Sequence, residues 1–387
     1  MMNRIYLDHA ATTPVSPRVL EAMLPFFSEC WGNASAVYAT GREARKAVEK
    51  ARKQVAEAIG AHPQEILLTS GGTESDNLAI RGTAAAMKEK GKHIVTTAIE
   101  HHAVLNTCRA LEREGFEVTC LQPDSQGRIT PEALDGALRE DTILVSVMTA
   151  NNEIGTLQPI RELAAAAKAR GALFHTDAVQ AVGAVPVDVE ETGVDLLSLS
   201  AHKFYGPKGA GALFVRKGTR IHPVLTGGKQ ERGLRGGTEN VPAIVGLGAA
   251  IEEAAASLRE NAKAAAALRD ELEARILAGV GGVRVNGARD ARLPNNCSLT
   301  FDQVDGEALL LRLDLAGIAA SAGSACTSGS LESSHVLKAI GLSEEEARGT
   351  LRLTVGTDNT REEISRAADT VISLVTELRS MYHKTGR

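Results

Sequence analysis

The stretch Ser200-Ala-His-Lys-Phe-Tyr-Gly-Pro-Lys-Gly209 decides the interpretation of this chain. It lies between two β-like runs, residues 195–199 and 212–215, so Lys203 follows directly after a predicted strand. A lysine in such a pocket, flanked by hydroxyl and imidazole groups, can lose its proton and condense with an aldehyde. Pyridoxal phosphate is the aldehyde cofactor that proteins commonly bind this way. On these residues alone, a surface lysine beside a glycine-rich turn is an equally good interpretation.

Strand-like and helix-like patterns alternate on the amino-terminal side of this stretch. Short apolar runs of β-like composition cover residues 66–69, 94–97, 118–121, 143–148 and 173–177. Helical patterns lie before and between them, at residues 17–29, 41–59, 75–90, 103–114, 131–138 and 160–170. This alternation predicts an α/β fold with a mostly parallel sheet that helices cover on both faces.

The pattern changes on the carboxyl-terminal side of Gly211. A long helix rich in alanine and glutamate is predicted from about residue 251 to 278. The rest of the chain predicts strands at 283–286, 297–301 and 351–355, and helices at 307–316, 334–340 and 361–382. These elements indicate a smaller α+β domain that the long helix joins to the sheet domain.

Composition limits the class of protein. The chain has 387 residues, of which 43% are hydrophobic, enough for a large core and for two or three domains. Its net charge of −5 argues against a nucleic-acid-binding surface. No apolar signal-peptide core is visible at the amino terminus, and the apolar stretch 241–256 is too short to span a bilayer. We expect a soluble cytoplasmic protein with neither nucleic acid nor membrane as a partner.

The cysteines give no metal or disulfide pattern. No Cys-x-x-Cys pair occurs among the five, so neither a zinc site nor a redox motif has local support, and no metal site is expected. Cys108 and Cys297 lie in helical and strand-like runs, which is typical of small buried hydrophobic residues. Cys326 differs, because residues 321–330 are small, polar and without periodicity. A thiol on such a loop is a candidate nucleophile.

An anion site is indicated at Thr69-Ser-Gly-Gly-Thr-Glu74, which follows a predicted strand and opens a helix. Gly71 and Gly72 allow close approach of the backbone, and the helix N-terminus offers free N–H groups, an arrangement suited to a phosphate. The stretch is neither a Walker loop nor a G-x-G-x-x-G fingerprint. Simple helix capping by Ser70 or Thr73 is the alternative.

Three further polar residues follow predicted strands. Asp177 ends the run 173–177, and a carboxylate there can pair with a protonated pyridine nitrogen and make the ring an electron sink. Gln180 can hydrogen-bond a ring substituent. His101 can lie over a cofactor ring and move protons. Helix capping by Asp177 and a structural role for His101 are the alternatives.

Two further segments contain polar residues that can contact a ligand. Arg352 interrupts the apolar strand 351–355, and arginine is the natural bidentate partner of a carboxylate. The alternative is that ordinary strand alternation turns Arg352 to solvent. Asn151 and Asn152 follow the strand 143–148 and can either cap the next segment or contact a ligand.

Ten motifs, in one order and over essentially the whole chain, resemble those of the NifS/IscS-type cysteine desulfurases, pyridoxal-phosphate enzymes of the class-V aminotransferase family. They are Tyr6-Leu-Asp-His-Ala-Ala-Thr-Thr13, Gly32-Asn-Ala-Ser35, Thr69-Ser-Gly-Gly-Thr-Glu-Ser75, Glu100-His101, Asn151-Asn-Glu-Ile-Gly155, Thr176-Asp-Ala-Val-Gln180, the stretch at 200–209, Arg235-Gly-Gly-Thr238, Ser324-Ala-Cys-Thr-Ser328 and Leu351-Arg352.

The resemblance implies a role for each matching residue. Lys203 would form the Schiff base with pyridoxal phosphate and then act as general base. Asp177 would pair with the pyridine nitrogen, Gln180 would contact the ring oxygen, His101 would stack on the ring and transfer protons, and Asn152 would contact the cofactor. The phosphate would be bound by Gly72, Thr73, Ser200 and His202 and, in a homodimer, by Thr238 of the partner subunit. The substrate would be oriented by Asn33, Asn152 and Arg352.

The resemblance also implies that Cys326 accepts the sulfur of L-cysteine as a persulfide while alanine is released. Iron–sulfur assembly is the implied use of that sulfur, with a scaffold or other acceptor protein as partner, and Cys326 can transiently ligate a cluster. The long loop around Cys326 looks like that of the family's group I. We expect this loop, at about 321–334, to be poorly ordered in the resting enzyme, because it has no large apolar anchor.

The implied fold is the aminotransferase-like fold type I. It has a large domain at 16–258 with a mostly parallel seven-stranded sheet, a small α+β domain at 259–387, and an N-terminal segment, 1–15, that packs with the small domain. Gly72 and Thr357 depart from commoner family patterns, and the chain ends soon after its last helix, which puts scaffold docking in doubt. Selenocysteine lyase or β-elimination activity, an aminotransferase and a non-catalytic assembly partner are the rival functions.

Overall fold

The computed structural model describes residues 4–322 and 333–384. Its strands are β1 (Ile5–Tyr6), β2 (Ile66–Thr69), β3 (His93–Thr97), β4 (Glu117–Leu121), β5 (Thr142–Ser146), β6 (Leu173–Asp177), β7 (Leu196–Ser200), β8 (Gly211–Val215), β9 (Val283–Val285), β10 (Asn296–Phe301), β11 (Ile318–Ala319), β12 (Ser321–Ala322) and β13 (Thr350–Thr354).

Its helices are α1 (Pro17–Met23), α2 (Pro25–Ser28), α3 (Ala39–Ala58), α4 (Gly72–Met87), α5 (His102–Arg113), α6 (Pro131–Ala137), α7 (Ile160–Ala169), α8 (Val189–Thr192), α9 (Val241–Ala256), α10 (Leu258–Gly279), α11 (Gly306–Leu315), α12 (His335–Ala339), α13 (Glu344–Arg348) and α14 (Arg361–Lys384). Short 3₁₀ turns cover Pro63–Glu65, Ala201–Lys203 and Gln230–Gly233.

A seven-stranded sheet forms the centre of the large part of the molecule. Its strand order is β2-β8-β7-β6-β5-β3-β4. The pairs from β7 to β4 are parallel, whereas β8 is antiparallel to both β7 and β2. Side chains of β2, β3, β5 and β7 are buried throughout, because helices cover both faces. The mostly parallel α/β architecture predicted from the sequence is confirmed.

A second sheet of four antiparallel strands, in the order β12-β13-β10-β9, lies in the carboxyl-terminal part. It shares an apolar cluster with α10, α11 and α14. The short strand β1 pairs in parallel with β11, and Ile5 and Leu7 lie in the same cluster. The N-terminal segment around Ile5 and Leu7 therefore belongs to the carboxyl-terminal core.

Several details differ from the sequence prediction, and three of them have a clear sequence signal or a clear consequence for the fold. The single long helix predicted over 251–278 is wrong: α9 and α10 are separate helices that meet at Ser257 with a bend of 73°. The predicted helix 17–29 is two helices, because Pro25 begins a new one after Leu24. Helix α13 was missed, although Ser343 and Glu346 form a capping box at its start.

No single helix in residues 4–322 and 333–384 has both the length and the apolarity to cross a membrane. The bent pair α9–α10 meets those two criteria when its helices are taken together.

Candidate active site

Several of the residues singled out from the sequence lie at one edge of the central sheet. Strands β2, β3, β5, β6 and β7 all run in the same direction. Strand β8 lies between β2 and β7 and is antiparallel to both, so β2 is parallel to β7. Their carboxyl ends therefore share an edge, which is where open α/β sheets bind ligands. Thr69, Asp177 and Ser200 end three of these strands, and Lys203 follows Ser200 in a short 3₁₀ turn.

Lys203 is half-buried and points to the N-terminal segment of the chain. Its Nζ donates to the backbone oxygens of Ala10, at 2.6 Å, and Ala11, at 2.8 Å. Gln180 reaches the same place, since its Nε2 donates to the Ala10 oxygen at 2.9 Å. The alternative of a surface lysine is wrong, and Lys203 lies where the carboxyl ends of β6 and β7 meet the N-terminal segment.

Asp177 and His101 lie close enough to influence each other's titration. Burial raises the pKa of the Asp177 carboxyl, while His101 and Lys203 oppose that change. Burial lowers the pKa of His101, and Lys203 lowers it further. His101 Nδ1 accepts the Ala103 N–H at 3.1 Å, so the neutral imidazole carries its proton on Nε2. His101 thus caps α5 and still presents a proton donor.

The N-terminus of α4 keeps its first N–H groups available. Gly71 precedes the helix with φ 147° and supplies no side-chain cap. A Cβ at Gly71 would lie 3.5 Å from the Ser200 Oγ, so this hydroxyl faces the N-terminus that includes Gly72 and Thr73. Free N–H groups beside a buried hydroxyl form a place for an anion such as phosphate.

His202 follows Ser200 by two residues in the sequence and is hydrogen-bonded to the N-terminal segment. Its Nδ1 is 3.1 Å from the Thr12 Oγ1, and its backbone oxygen accepts from Thr13 N at 2.9 Å. Burial, with help from Lys203 and Lys208, lowers the pKa of His202 to about 4. His202 is therefore neutral near pH 7 and can donate a hydrogen bond without adding a charge.

Arg352 is buried in β13, so the solvent-facing alternative is wrong. Its side chain is 3% exposed, its Nη1 donates to the Asn152 backbone oxygen at 2.9 Å, and its Nη2 donates to Asp8 Oδ1 at 2.8 Å. Asn152 thus contacts Arg352 through its backbone oxygen. Asn33 is exposed, and its Oδ1 accepts from Ser35 N at 2.8 Å.

Thr238 belongs to a glycine-rich segment that folds against the start of α4. Its side chain is exposed, and with Ser70 and Gly209 it lines a cavity of about 140 Å³. Arg235, three residues earlier, holds Glu74 of α4 through two hydrogen bonds, at 2.7 and 3.2 Å. Within one chain, this segment therefore reaches the predicted phosphate site.

A buried ion pair anchors the same segment. Glu231 and Arg52 make two hydrogen bonds, at 2.6 and 2.8 Å, and Glu231 also accepts from Leu68 N at 2.9 Å. Glu231 and Arg232 have positive φ values of 44° and 60°, which costs energy for residues other than glycine. The pair thus offsets local strain while it fixes the segment to β2.

Replacement of Glu231 by glutamine is expected to lower the free energy of unfolding by about 3 kcal/mol, because it leaves Arg52 buried without its main counter-charge. Denaturant unfolding monitored by circular dichroism measures the change. Glu57→Gln, which removes a carboxylate from an exposed pair with Lys53, is the control and is expected to cost less than about 1 kcal/mol. Equal losses in the two variants would contradict this role.

Glu100, which precedes His101, is a fully buried carboxyl group. Its Oε1 accepts from Thr97 Oγ1 at 2.6 Å and from Met148 N at 3.0 Å. Burial raises its pKa to about 8. The native state therefore keeps a proton on Glu100 that the unfolded chain releases at a much lower pH.

Stability is consequently expected to fall as the pH rises from about 5 to 8, since the unfolded state binds fewer protons there. Glu100→Gln removes this contribution, which amounts to at most about 1.4 kcal/mol per pH unit. Melting temperatures at pH 6 and pH 9 test the sign: the wild type should lose more stability than the variant over this interval. Glu132→Gln, at an exposed carboxylate, should behave as the wild type, and parallel curves for Glu100→Gln would refute the assignment.

Cys326 lies outside the described residues, as do the other residues at 323–332. Among the cysteines that the structure does describe, Cys108 and Cys297 are buried, Cys30 is half-buried and Cys120 is exposed. Burial raises the pKa of the Cys108 and Cys297 thiols to about 12. Their sequence-based interpretation as buried hydrophobic residues is confirmed.

The N-terminal segment was expected to pack with the small domain, but no site role was predicted for its residues. Asp8 binds Arg352, the oxygens of Ala10 and Ala11 receive Lys203, and Thr12 binds His202. Backbone oxygens leave no signal in a sequence, because every residue has one. The polar side chains of Asp8 and Thr12 were the available signals.

The chain is similar to known proteins over nearly its whole length. The family model "Aminotransferase class-V" matches residues 5–367. The chain is 52% identical to "Cysteine desulfurase IscS" of Dictyoglomus turgidum over 98% of this chain and 97% of that protein, and 53% identical to the same-named protein of Methanosarcina thermophila over 97% and 93%. One similar solved structure is a "NifS-like protein", with 39% identity and a TM-score of 0.91, covering 97% of this chain and 100% of that one. Another is "SspA in complex with cysteine", with 39% identity and a TM-score of 0.81, covering 92% of this chain and 100% of that one.

These matches extend over nearly the full length of both partners in each pair, and the matched residues include the whole sheet edge that carries Lys203, Asp177 and His101. The family depends on pyridoxal phosphate. The chain belongs to the class-V aminotransferase family and, within it, to the NifS/IscS-type cysteine desulfurases.

Proposed function

We propose that the chain is a pyridoxal-phosphate-dependent cysteine desulfurase that converts L-cysteine to L-alanine and transfers the sulfur to Cys326 as a persulfide. The observation that carries the proposal is that Lys203, which is close enough to Asp177 to affect its pKa, and the buried Arg352 both bind the same N-terminal segment. A relative of known structure, SspA, was obtained in complex with cysteine.

The residues present fit pyridoxal phosphate. The N-terminus of α4, with Gly72, Thr73 and the hydroxyl of Ser200, suits the phosphate. The buried carboxyl group of Asp177 suits the pyridine nitrogen, and Lys203 suits the aldehyde. His202, Gln180 and Asn152 complete the proposed cofactor contacts. When bound, the cofactor holds the substrate amine and withdraws electrons from its α-carbon.

Lys203 and His101 handle the protons. The amine of Lys203 removes the α-proton, and the Ala10 and Ala11 oxygens, which accept from its Nζ, stabilise it when it carries the extra proton. His101 is neutral and holds its own proton on Nε2, ready for transfer at the same sheet edge. Arg352, with Asn33 and Asn152, orients the substrate carboxylate and amine.

Sulfur transfer needs one further nucleophile. The Cys326 thiolate attacks the sulfur of the substrate, an S–S bond forms, and the substrate C–S bond breaks. The extra sulfur stays on Cys326, and the three-carbon remainder takes up a proton and leaves as alanine. Later transfer of the persulfide sulfur supplies iron–sulfur cluster assembly or other sulfur-containing cofactors, through a scaffold or another acceptor protein in the cytoplasm.

Product analysis tests the activity directly. The cofactor-loaded protein is incubated with L-cysteine and dithiothreitol, and alanine, pyruvate, 3-mercaptopyruvate and sulfide are quantified. Alanine and sulfide in equal amounts are expected. Pyruvate with sulfide would instead indicate β-elimination, 3-mercaptopyruvate without sulfide would indicate an aminotransferase-type reaction, and the absence of any product would favour a non-catalytic partner.

The proposed enzyme is a homodimer in which each active site uses Thr238 of the partner subunit. A segment rich in glycine, with Thr238 exposed at its end, supports this arrangement, since the side chain is available to a second chain. A single chain places Thr238 near its own α4, so cis and trans use of Thr238 differ in their consequences and can be separated by experiment.

Co-expression of a Lys203→Ala chain with a Thr238→Glu chain, each with its own tag, makes that separation. The glutamate repels a phosphate, so each homodimer should be inactive. If Thr238 acts in trans, the mixed dimer contains one intact site and should recover about half of the wild-type alanine release per dimer. No recovery in a mixed dimer of confirmed composition would show that Thr238 acts within its own chain.

A further inference from the structure

Asp8 lies in the motif Tyr6-Leu-Asp-His-Ala-Ala-Thr-Thr13 and has no part in the chemistry described above. We propose that Asp8 is a positioning residue for substrate recognition: its carboxylate holds the Arg352 guanidinium in the orientation that receives the α-carboxylate of the substrate amino acid. The inference rests on the function proposed above, because it assigns Arg352 a substrate carboxylate.

The backbone around Asp8 is fixed against the strand that carries Arg352. Thr354 N donates to the Leu7 oxygen at 2.8 Å, and Ala10 N donates to Thr354 Oγ1 at 2.9 Å. Asp8 and Thr354 form a parallel bridge. Arg352 and Thr354 are two residues apart in β13, so their side chains leave the same face of the strand. Strand pairing thus places Asp8 opposite Thr354, on the face of β13 that also carries Arg352.

The guanidinium of Arg352 is only partly satisfied. Its Nη2 donates to Asp8 Oδ1 at 2.8 Å and its Nη1 donates to the Asn152 oxygen at 2.9 Å. Its Nε, although buried, has no hydrogen-bond partner in the described part of the chain. A guanidinium has five N–H groups, so donors remain for a further acceptor. A carboxylate is the acceptor that matches the spacing of these donors.

The exposure of the two side chains shows how a ligand would meet the pair. Arg352 is 3% exposed and Asp8 is 18% exposed, so the open side of the pair is that of Asp8. A buried N–H without a partner costs about 1–3 kcal/mol, and a ligand oxygen that accepts from Nε would remove this cost. Asp8 and the Asn152 oxygen hold the two outer nitrogens, and this fixes the direction in which the remaining donors point.

Three variants of Asp8 separate the effect of the position of its side-chain oxygen from the effect of its charge. Asp8→Asn keeps an oxygen that can accept from Nη2 and removes the charge. Asp8→Glu keeps the charge and displaces it by one methylene group, and Asp8→Ala removes both. Asp369→Ala, which takes a carboxylate from the pair with Arg275 at 2.9 Å between α10 and α14, is the matched control.

Ligands with and without a carboxylate give the decisive comparison. Dissociation constants for L-alanine and for ethylamine are measured by titration of the cofactor absorbance, with the melting temperature of each variant as a check on folding. Asp8→Ala and Asp8→Glu should weaken L-alanine binding about 10-fold and leave ethylamine binding within about 2-fold of wild type. Asp8→Asn should stay within about 3-fold for both ligands. With L-cysteine, the loss in Asp8→Ala should fall on KM more than on kcat.

Equal weakening of both ligands, or an Asp8→Asn variant as poor as Asp8→Ala, would overturn the assignment. If Asp8→Ala does not fold, the comparison of L-alanine binding by Asp8→Glu and Asp8→Asn still tests the role of Asp8. Neither amine ligand needs to lose sulfur, so a protein that fails to desulfurate cysteine but shows the predicted ligand pattern refutes the proposed function and leaves the role of Asp8 in place.

Discussion

Lys203→Ala is expected to reduce the release of alanine from cysteine by at least about 10³-fold and to remove the covalent attachment of the cofactor. The amine of Lys203 lies at the sheet edge near Asp177 and the N-terminus of α4, and no other described lysine lies in that 3₁₀ turn. Loss of a positioned general base alone costs about 10²–10⁴ in rate, and the loss of the covalent anchor adds to it.

Borohydride reduction followed by peptide mapping gives a readout that does not depend on turnover. In the wild type, the reduced cofactor should be found on the peptide that contains Lys203. Lys208→Ala is the matched control, because Lys208 belongs to the same stretch and is exposed. A cofactor adduct that maps to any other lysine, or a Lys203→Ala variant that keeps wild-type turnover, would disprove the assignment.

Most of the central sheet could be predicted from the sequence because its strands are buried on both faces. Such strands are continuous apolar runs, and those of β2 and β6 ended at the residues that the structure gives, Thr69 and Asp177. Their polar last residues then pointed to the sheet edge. The bend at Ser257 escaped prediction, because alanine and glutamate continue the helical pattern on both sides of it.

Residues that act through tertiary pairing could not be assigned from periodicity. By strand alternation, Arg352 was equally compatible with a solvent-facing position, and only the partners Asp8 and Asn152 make its burial possible. The reason for a glycine at position 72 also could not be predicted from the sequence. A Cβ there would lie 2.7 Å from the Val179 Cγ2, so Val179 explains why glycine stands at this position.

The assignment of Cys326 as the sulfur acceptor predicts a second large loss of activity on mutation. Cys108 and Cys297 are poor candidates, because thiols with a pKa of about 12 are ionised to about one part in 10⁵ at pH 7. Cys120 is exposed, but it lies on the edge strand β4, four strands from β7 and thus about 19 Å from the strand that leads to Lys203. Cys30 is half-buried just after α2.

Cys326→Ala is therefore expected to lower the release of alanine and sulfide at least about 100-fold, because the attack on the substrate sulfur loses its nucleophile. The variant should still bind the cofactor and still change its absorbance when L-cysteine is added, since Lys203, Asp177 and Arg352 are intact. Alanine substitution of each of the other four cysteines provides the controls, and each should keep turnover close to wild type. Mass spectrometry after cysteine treatment locates the added sulfur. Full activity in Cys326→Ala, or a persulfide on one of the other four cysteines, would show that the acceptor lies elsewhere in the chain.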